Sequence, residues 1–175
     1  MVTLKDKQFK PYISSEKILE AVKQVATKIN SDLAGESPVF LAVLNGSFMF
    51  AADLMKEINL NCEISFVKLA SYHGTTSTGT VSELIGLNQD LTGRTVIIVE
   101  DIVDTGNTIV KLTELLKDKN VKSYKIATAF FKPSVYKKSI KIDYVGMEIP
   151  NDFVVGYGLD YDGLGRNLKD VFVLA

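Results

Sequence analysis

The segment from Val96 to Val110, VIIVEDIVDTGNTIV, decides the fold class that this 175-residue sequence predicts. Its first four residues are all apolar, which is typical of a strand that is covered on both faces. Two adjacent carboxylates, Glu100 and Asp101, follow, and a third, Asp104, precedes the helix that we expect from about Asn107. In parallel sheets, ligands bind beyond the carboxyl ends of the strands. The segment therefore predicts a strand, a ligand-binding turn and a helix.

The pattern on both sides of this segment alternates between strands and helices. Helical spacing from about residue 15 predicts a buried face made by Ile18, Val22, Val25, Ala26 and Ile29. A second helix is expected after Ser47, with Phe48 on its inward side. Further strands are expected at 39–44, 62–70, 80–87, 121–131, 142–147, 153–157 and 171–174. This order predicts an α/β fold, a mainly parallel twisted sheet flanked by helices, in a single domain spanning residues 1–175.

Composition and charge argue against several classes of protein. The formal net charge of −1 argues against a broad nucleic-acid or membrane-surface contact. The single cysteine, Cys62, rules out a disulfide within the chain, and no apolar run reaches the ~20 residues that cross a bilayer. Residues 1–11 lack the apolar segment of a signal peptide. We therefore expect a cytoplasmic protein without nucleic-acid or membrane partners.

The residue types after the central strand fit a phosphate and a sugar. A helix N-terminus offers free backbone N–H groups and the positive end of a dipole, both of which attract an anion. Gly106 lets the backbone approach that anion closely, and Thr105 and Thr108 add hydroxyl donors. The ionised carboxylates of Glu100 and Asp101 are acceptors only, so they suit a vicinal diol or a hard cation such as Mg²⁺.

Other readings of the same pattern exist. A hydrophobic run that ends in Glu-Asp is similar to the Mg²⁺ strand of P-loop hydrolases, but the chain contains no G-x-x-x-x-G-K-S/T. A dinucleotide fold is disfavoured because no G-x-G-x-x-G follows a strand. Asp, Thr and Gly are also common turn and cap residues, so the pattern can be purely structural.

Residues 96–108, VIIVEDIVDTGNT, resemble the phosphoribosyl pyrophosphate motif of the type I phosphoribosyltransferases. A second run resembles the hypoxanthine (hypoxanthine-guanine) phosphoribosyltransferases of that family. It begins at Lys132-Pro133, includes 153–161, FVVGYGLDY, and ends at Arg166. The resemblance implies the type I fold with a flexible β-hairpin loop and a small hood built from the termini. It places the core at about 35–145 and the hood at about 1–15 and 148–175.

The resemblance also implies an activity. Such an enzyme salvages purines: it transfers the 5-phosphoribosyl group from phosphoribosyl pyrophosphate to N9 of hypoxanthine, and of guanine. The products are IMP or GMP and pyrophosphate, the cofactor is Mg²⁺, and the protein is a homodimer or homotetramer.

Individual residues receive roles from the same resemblance. Glu100 and Asp101 would face the ribose hydroxyls and the Mg²⁺ bound to them, and Asp104 would act as the general base near purine N7. The 5′-phosphate loop would comprise Asp104, Thr105, Gly106, Asn107 and Thr108. The pyrophosphate site would comprise Arg166 and a loop with a cis peptide, Leu44, Asn45 and Gly46. The flexible loop would begin with Ser71 and Tyr72.

Four residues are expected at the purine. Lys132 would donate to O6, Tyr144 would stack on the ring, and Val145 would offer its backbone to the base edge. Asn151 stands where many relatives have an Asp that binds a second Mg²⁺, so this metal site would be weak or would use Asp152.

Three alternatives stay open at this point. The first is a phosphoribosyl-pyrophosphate-sensing RNA-binding regulator, which would need a basic face. The second is an enzyme that prefers xanthine. The third is a noncatalytic, receiver-like Mg²⁺-binding domain, in which Arg166 and the hydroxyl-rich loop at 71–79 would have no use.

Overall fold

The computed structural model describes residues 1–69, 83–85, 87 and 89–175, and within them the chain forms three helices and two sheets. The helices are α1 (Ser15–Asp32), α2 (Phe48–Glu57) and α3 (Asn107–Lys117). The larger sheet contains β3 (Val39–Val43), β4 (Glu63–Leu69), β5 (Glu83–Ile85), β6 (Thr95–Val103), β7 (Ser123–Phe131) and β8 (Tyr144–Glu148). The smaller sheet contains β1 (Val2–Leu4), β2 (Lys7–Ile13), β9 (Val154–Val155) and β10 (Val171–Leu174).

The larger sheet has the order β5-β4-β3-β6-β7-β8, and its strands run parallel except for β5 at one edge. The predicted fold class, a mainly parallel sheet flanked by helices, is confirmed. The central strand β6 is longer than the apolar run that predicted it. It continues to Val103, which pairs with Phe131 of β7, so the adjacent carboxylates lie inside the strand and Asp104 follows its end.

The two faces of the larger sheet are covered by different helices. The predicted apolar face of α1 is buried together with side chains of α2, and it packs on one face of the sheet. Helix α3 covers the other face through Ile109, Leu112 and Leu116. Phe48 corrects our prediction for α2: it is 43% exposed, whereas Phe50 is fully buried. The reason is that Phe48 is the first residue of the helix and lies at the rim of an open cleft.

Both ends of the chain build the smaller sheet, whose order is β1-β2-β10-β9. This arrangement agrees with the expected hood from the termini. The hood is joined to the core by a shared apolar cluster and by the Tyr157 hydroxyl, which donates to Asp53 of α2 over 2.9 Å. The expected flexible loop with Ser71 and Tyr72 lies outside the described residues. Among the described residues, none of the three helices combines the length and the apolar character of a membrane span.

Candidate active site

The acidic pair lies at the carboxyl end of the central strand β6. Glu100 is 6% exposed, and Asp101 is partly buried and accepts the backbone N–H of Ile102 over 2.9 Å. Asp104, just beyond the strand, is exposed and accepts the backbone N–H of Thr105. Three carboxylates thus lie within five residues at one edge of the sheet.

Burial and mutual repulsion make the acidic pair costly to ionise. Burial raises the pKa of Glu100 well above its usual value, and the nearby charges of Asp101 and Asp104 raise it further. Burial also raises the pKa of Asp101 to about 6, against an opposing effect from backbone hydrogen bonds and Arg166. A bound cation or sugar diol would relieve this repulsion. Within the described ranges, no group of three or more Asp, Glu, His or Cys side chains is arranged to hold a metal ion.

We predict that Asp101→Asn stabilises the ligand-free, metal-free protein near neutral pH. The raised pKa means that the folded chain holds this proton more tightly than the unfolded chain does. Stability from the carboxyl is therefore full below about pH 4 and is lost as the pH rises through about 6. We expect the variant to gain about 2 kcal/mol in the free energy of unfolding near neutral pH and almost nothing near pH 4.

Urea unfolding in the presence of a chelator measures this difference at the two pH values. Asp118→Asn is the matched control, because Asp118 is exposed at the far end of α3. A free energy of unfolding that is equal for Asp101→Asn and the unaltered chain near neutral pH would contradict the raised pKa.

The turn that the sequence predicts to bind phosphate lies where β6 passes into α3. Gly106 precedes the helix with φ +78°, in the left-handed region that favours glycine. No side-chain oxygen caps the first N–H groups of α3. These donors are therefore free to bind an anion, and Asp104, Gly106, Asn107 and Thr108 line a small depression together with Glu100.

The loop after β3 lies against the acidic pair. The predicted cis peptide bond between Leu44 and Asn45 is present. Gly46 is buried, and a Cβ built on it would overlap the Asp101 carboxylate. Ser47 closes the loop, because its backbone N–H and its hydroxyl both donate to the carbonyl of Val43, the hydroxyl over 2.6 Å. Glycine at position 46 therefore lets the loop reach the acidic pair.

Arg166 lies on the other side of the same loop. Its guanidinium donates to the carbonyl of Gly158 over 2.7 Å and pairs with Asp160 over 2.6 Å. A Cβ on Gly158 would overlap the Gly46 carbonyl, so the two loops are in direct backbone contact. An open cleft of ≈ 620 Å³ is bounded by residues 44–45 and 163–167. The structure thus brings the predicted pyrophosphate residues together.

Lys132 lies at the end of β7, beside the end of β6. Its backbone N–H donates to the carbonyl of Val103 over 2.9 Å, so it is a direct neighbour of the acidic turn. The side chain is 8% exposed, and its ammonium donates to the backbone carbonyl of Asp152 over 2.7 Å. This bond places residues 152–154 next to the strand ends.

Tyr144 and Val145 do not lie at this edge, which corrects our prediction for both. Tyr144 begins β8 and pairs in register with Ala127, five residues before Lys132 and roughly 16 Å along the strand. It is 2% exposed, and its hydroxyl donates to Asp32 at the end of α1 over 3.0 Å. Val145 pairs with Thr128 and is also remote from the strand ends. Tyr144 is therefore a core residue.

Two residues that we did not predict from the sequence lie nearer to the strand ends or to the acidic pair than Tyr144 and Asn151 do. Phe153 follows Asp152 and is 46% exposed, with its ring against Phe9 and Tyr161. The charge of Asp160 is close enough to the Asp101 carboxyl to raise the pKa of Asp101. Asn151 is exposed and is not among the groups that shift this pKa. An aromatic residue directly after two polar residues, and an Asp six residues before Arg166, were the signals available in the sequence.

Comparisons with known proteins agree with this geometry. Residues 12–162 match the family model described as "Phosphoribosyl transferase domain". The chain is 42% identical over 166 residues to a hypoxanthine-guanine phosphoribosyltransferase of Streptococcus pneumoniae, covering 94% of this chain and 92% of the relative. It is 44% identical over 162 residues to that of Streptococcus agalactiae, covering 92% and 90%.

Solved structures show the same likeness. A hypoxanthine-guanine phosphoribosyltransferase of Bacillus anthracis, with a HEPES molecule in its active site, superposes with a TM-score of 0.88 at 38% identity, covering 97% of this chain and 98% of that one. A hypoxanthine phosphoribosyltransferase of Staphylococcus aureus gives 0.88 at 39% identity, covering 98% and 93%.

The fold and the site thus define a transferase of the type I class, and the chain belongs to the phosphoribosyltransferase family. The relatives that it resembles over nearly their whole length are hypoxanthine-guanine phosphoribosyltransferases. The resemblance predicted from residues 96–108 and from the run that ends at Arg166 is confirmed.

Proposed function

We propose that this protein transfers the 5-phosphoribosyl group from phosphoribosyl pyrophosphate to N9 of hypoxanthine and of guanine, releasing pyrophosphate. One observation carries the proposal. The acidic pair, the uncapped start of α3 and the buried Lys132 meet at two adjoining strand ends, joined by the hydrogen bond from the Lys132 N–H to the Val103 carbonyl. Sugar, phosphate and base therefore each find a fitting group within one site.

Four parts of this site each bind a different group of the two substrates. The backbone N–H groups of residues 106–108 bind the 5′-phosphate, and Glu100 and Asp101 accept hydrogen bonds from the ribose hydroxyls. The loop of residues 44–46 and the guanidinium of Arg166 bind pyrophosphate. The base lies between the Lys132 ammonium, which donates to O6, and the ring of Phe153, on which it stacks. Phe153 replaces Tyr144 in this role.

Mg²⁺ fits the acidic pair, because two neighbouring carboxylates with raised pKa values gain from a hard cation. Glu100 and Asp101 would hold it together with substrate oxygens, and the ion would supply charge neutralisation for the leaving pyrophosphate. Asp160 would provide the carboxylate for a second ion. Asn151 would then be at most a weak ligand, as the sequence suggested.

Proton transfer falls to Asp104. Its carboxylate is exposed beyond the end of β6, next to the donors that hold the phosphate and beside Lys132, which holds the base. From there it accepts the proton at purine N7 as charge develops at the ribose C1′. A well-placed base of this kind adds about 10²–10⁴-fold to the rate.

A spectrophotometric assay tests the function. Hypoxanthine, guanine, xanthine and adenine are each supplied with phosphoribosyl pyrophosphate, with Mg²⁺ and with a chelator instead. We expect turnover of hypoxanthine and guanine that needs Mg²⁺, and little turnover of adenine. Turnover of adenine alone, or of no base at all, would refute the proposal. A preference for xanthine would keep the reaction but show that xanthine is the base that the enzyme uses.

We predict that Lys132→Ala lowers kcat/KM for hypoxanthine by roughly 10- to 100-fold. The ammonium supplies the donor for O6, and alanine removes this donor. The use of adenine, which lacks O6, should change little from its low starting value. Lys28→Ala, an exposed lysine of α1, is the control. Equal turnover of hypoxanthine by Lys132→Ala and the unaltered chain would remove Lys132 from the site.

We also propose that residues 1–175 act as one domain, with the core at about 35–145 and the hood at about 1–15 and 148–175, in a cytoplasmic homodimer or homotetramer. Location and assembly rest on the family. Ile64 and Phe66 support assembly, because both are about two-fifths exposed on β4 (39% and 40%). Sedimentation velocity distinguishes these assemblies from a monomer.

A further inference from the structure

The proposed 5′-phosphate site has an unbalanced charge. The loop of residues 104–108 contains Asp104 and no lysine or arginine, and Glu100 and Asp101 lie just before it. Backbone N–H groups supply only partial positive charge to a phosphate that carries up to two negative charges. Residues 70–82, 86 and 88, which the structure does not describe, contain no lysine or arginine. Any lysine or arginine of this chain that balances the charge therefore lies in its described part.

Two cations of the site already have other partners. The Lys132 ammonium donates to the carbonyl of Asp152, and the Arg166 guanidinium is paired with Asp160 beside the pyrophosphate loop. Lys138 is different. Its Cγ atom would lie 3.0 Å from a Cβ built on Gly106, so its stem packs directly on the phosphate loop. Lys138 is exposed, and within the described ranges it forms no ion pair with a carboxylate.

The segment that carries Lys138 is held against the loop by Tyr136. The Tyr136 ring occupies the space next to Gly106, where a Cβ would overlap it. Its hydroxyl donates to the carbonyl of Ile140 over 2.6 Å, and its ring makes an edge contact with Phe131 at 5.3 Å. These contacts hold the segment 136–140 in place, so the stem of Lys138 has a defined position at the edge of the loop.

We propose that Lys138 binds the 5′-phosphate of phosphoribosyl pyrophosphate and of the nucleotide product. The inference rests on the proposed function, because that function brings the phosphate to residues 104–108. From Cγ, three further bonds of a flexible stem carry the ammonium, a compact cation suited to a phosphate oxygen. Its single positive charge offsets part of the negative charge of the three carboxylates, and the bond it makes to phosphate is charge-assisted.

Binding of inosine 5′-monophosphate and of inosine, measured by titration calorimetry, isolates this contact. The two ligands differ only in the phosphate. Lys138→Met keeps most of the stem that packs on Gly106 and removes the charge, whereas Lys138→Arg keeps a charge. Lys137→Met is the matched control, because Lys137 is the exposed neighbour in the chain and is not among the residues nearest to Gly106.

We expect Lys138→Met to bind the nucleotide roughly tenfold more weakly and to bind inosine as the unaltered chain does. Lys138→Arg should keep most of the nucleotide affinity, and Lys137→Met should keep all of it. Unchanged nucleotide affinity in Lys138→Met overturns the inference, and so does an equal loss for nucleotide and nucleoside. If the unaltered chain binds the nucleotide no better than inosine, the proposed function itself fails.

Discussion

Asp104→Asn should lower kcat by about 10²–10⁴-fold while the Kd for phosphoribosyl pyrophosphate changes by less than about threefold. The amide keeps an oxygen that accepts the Thr105 N–H, so the phosphate loop keeps its shape. It has no carboxylate to take a proton from purine N7. The variant therefore removes the base and leaves the phosphate donors in place.

Single-turnover kinetics together with equilibrium binding measure the two effects separately. Asp118→Asn is the control, since it makes the same chemical change on an exposed residue at the opposite end of α3. A kcat for Asp104→Asn equal to that of the unaltered chain would refute the role of the carboxylate. A parallel loss of substrate affinity would instead make Asp104 a binding residue.

The second large effect is expected for Gly46→Ala. The added methyl group would overlap the Asp101 carboxylate, so the loop of residues 44–46 and the acidic pair cannot keep their positions. Displacing a binding group by about 1 Å can cost a factor of about 10². We therefore expect kcat/KM to fall by at least about 10²-fold.

Gly35→Ala shows whether a loss at Gly46 reflects the site or only the fold. A Cβ at Gly35 meets no atom within 4 Å, but its φ of +83° makes a side chain unfavourable there. This control should lose some stability and keep its activity. Gly46→Ala, measured in the same assay and by the same thermal unfolding, should lose far more activity than stability. If Gly46→Ala retains full activity, the close contact between the loop and the acidic pair is not needed for catalysis.

Local chemistry made the centre of the site predictable from the sequence. The apolar run before Glu100, the glycine at 106 and the helix that follows are all contained in fifteen residues, and each follows from nearest-neighbour rules for strands and helix starts. The exact end of β6 was not predictable. It depends on the pairing of Val103 with Phe131, which only the folded sheet reveals.

The purine end of the site could not be assigned by local rules alone. Tyr144 and Phe153 are both aromatic residues near short β segments, and only the register of β8 against β7 shows that Tyr144 lies far from the strand ends. The contacts of Gly46 with Asp101 and of Gly158 with Gly46 join positions more than fifty residues apart in the chain. Lys138 was missed for the same reason, because its approach to Gly106 depends on how the segment with Tyr136 packs.

A crystal structure of the chain with bound inosine 5′-monophosphate tests the central claim most directly. The phosphate should lie on the backbone N–H groups of residues 106–108, with the ribose hydroxyls on Glu100 and Asp101 and the base beside Lys132. A nucleotide bound elsewhere, with this strand end empty, would contradict the assignment of the site.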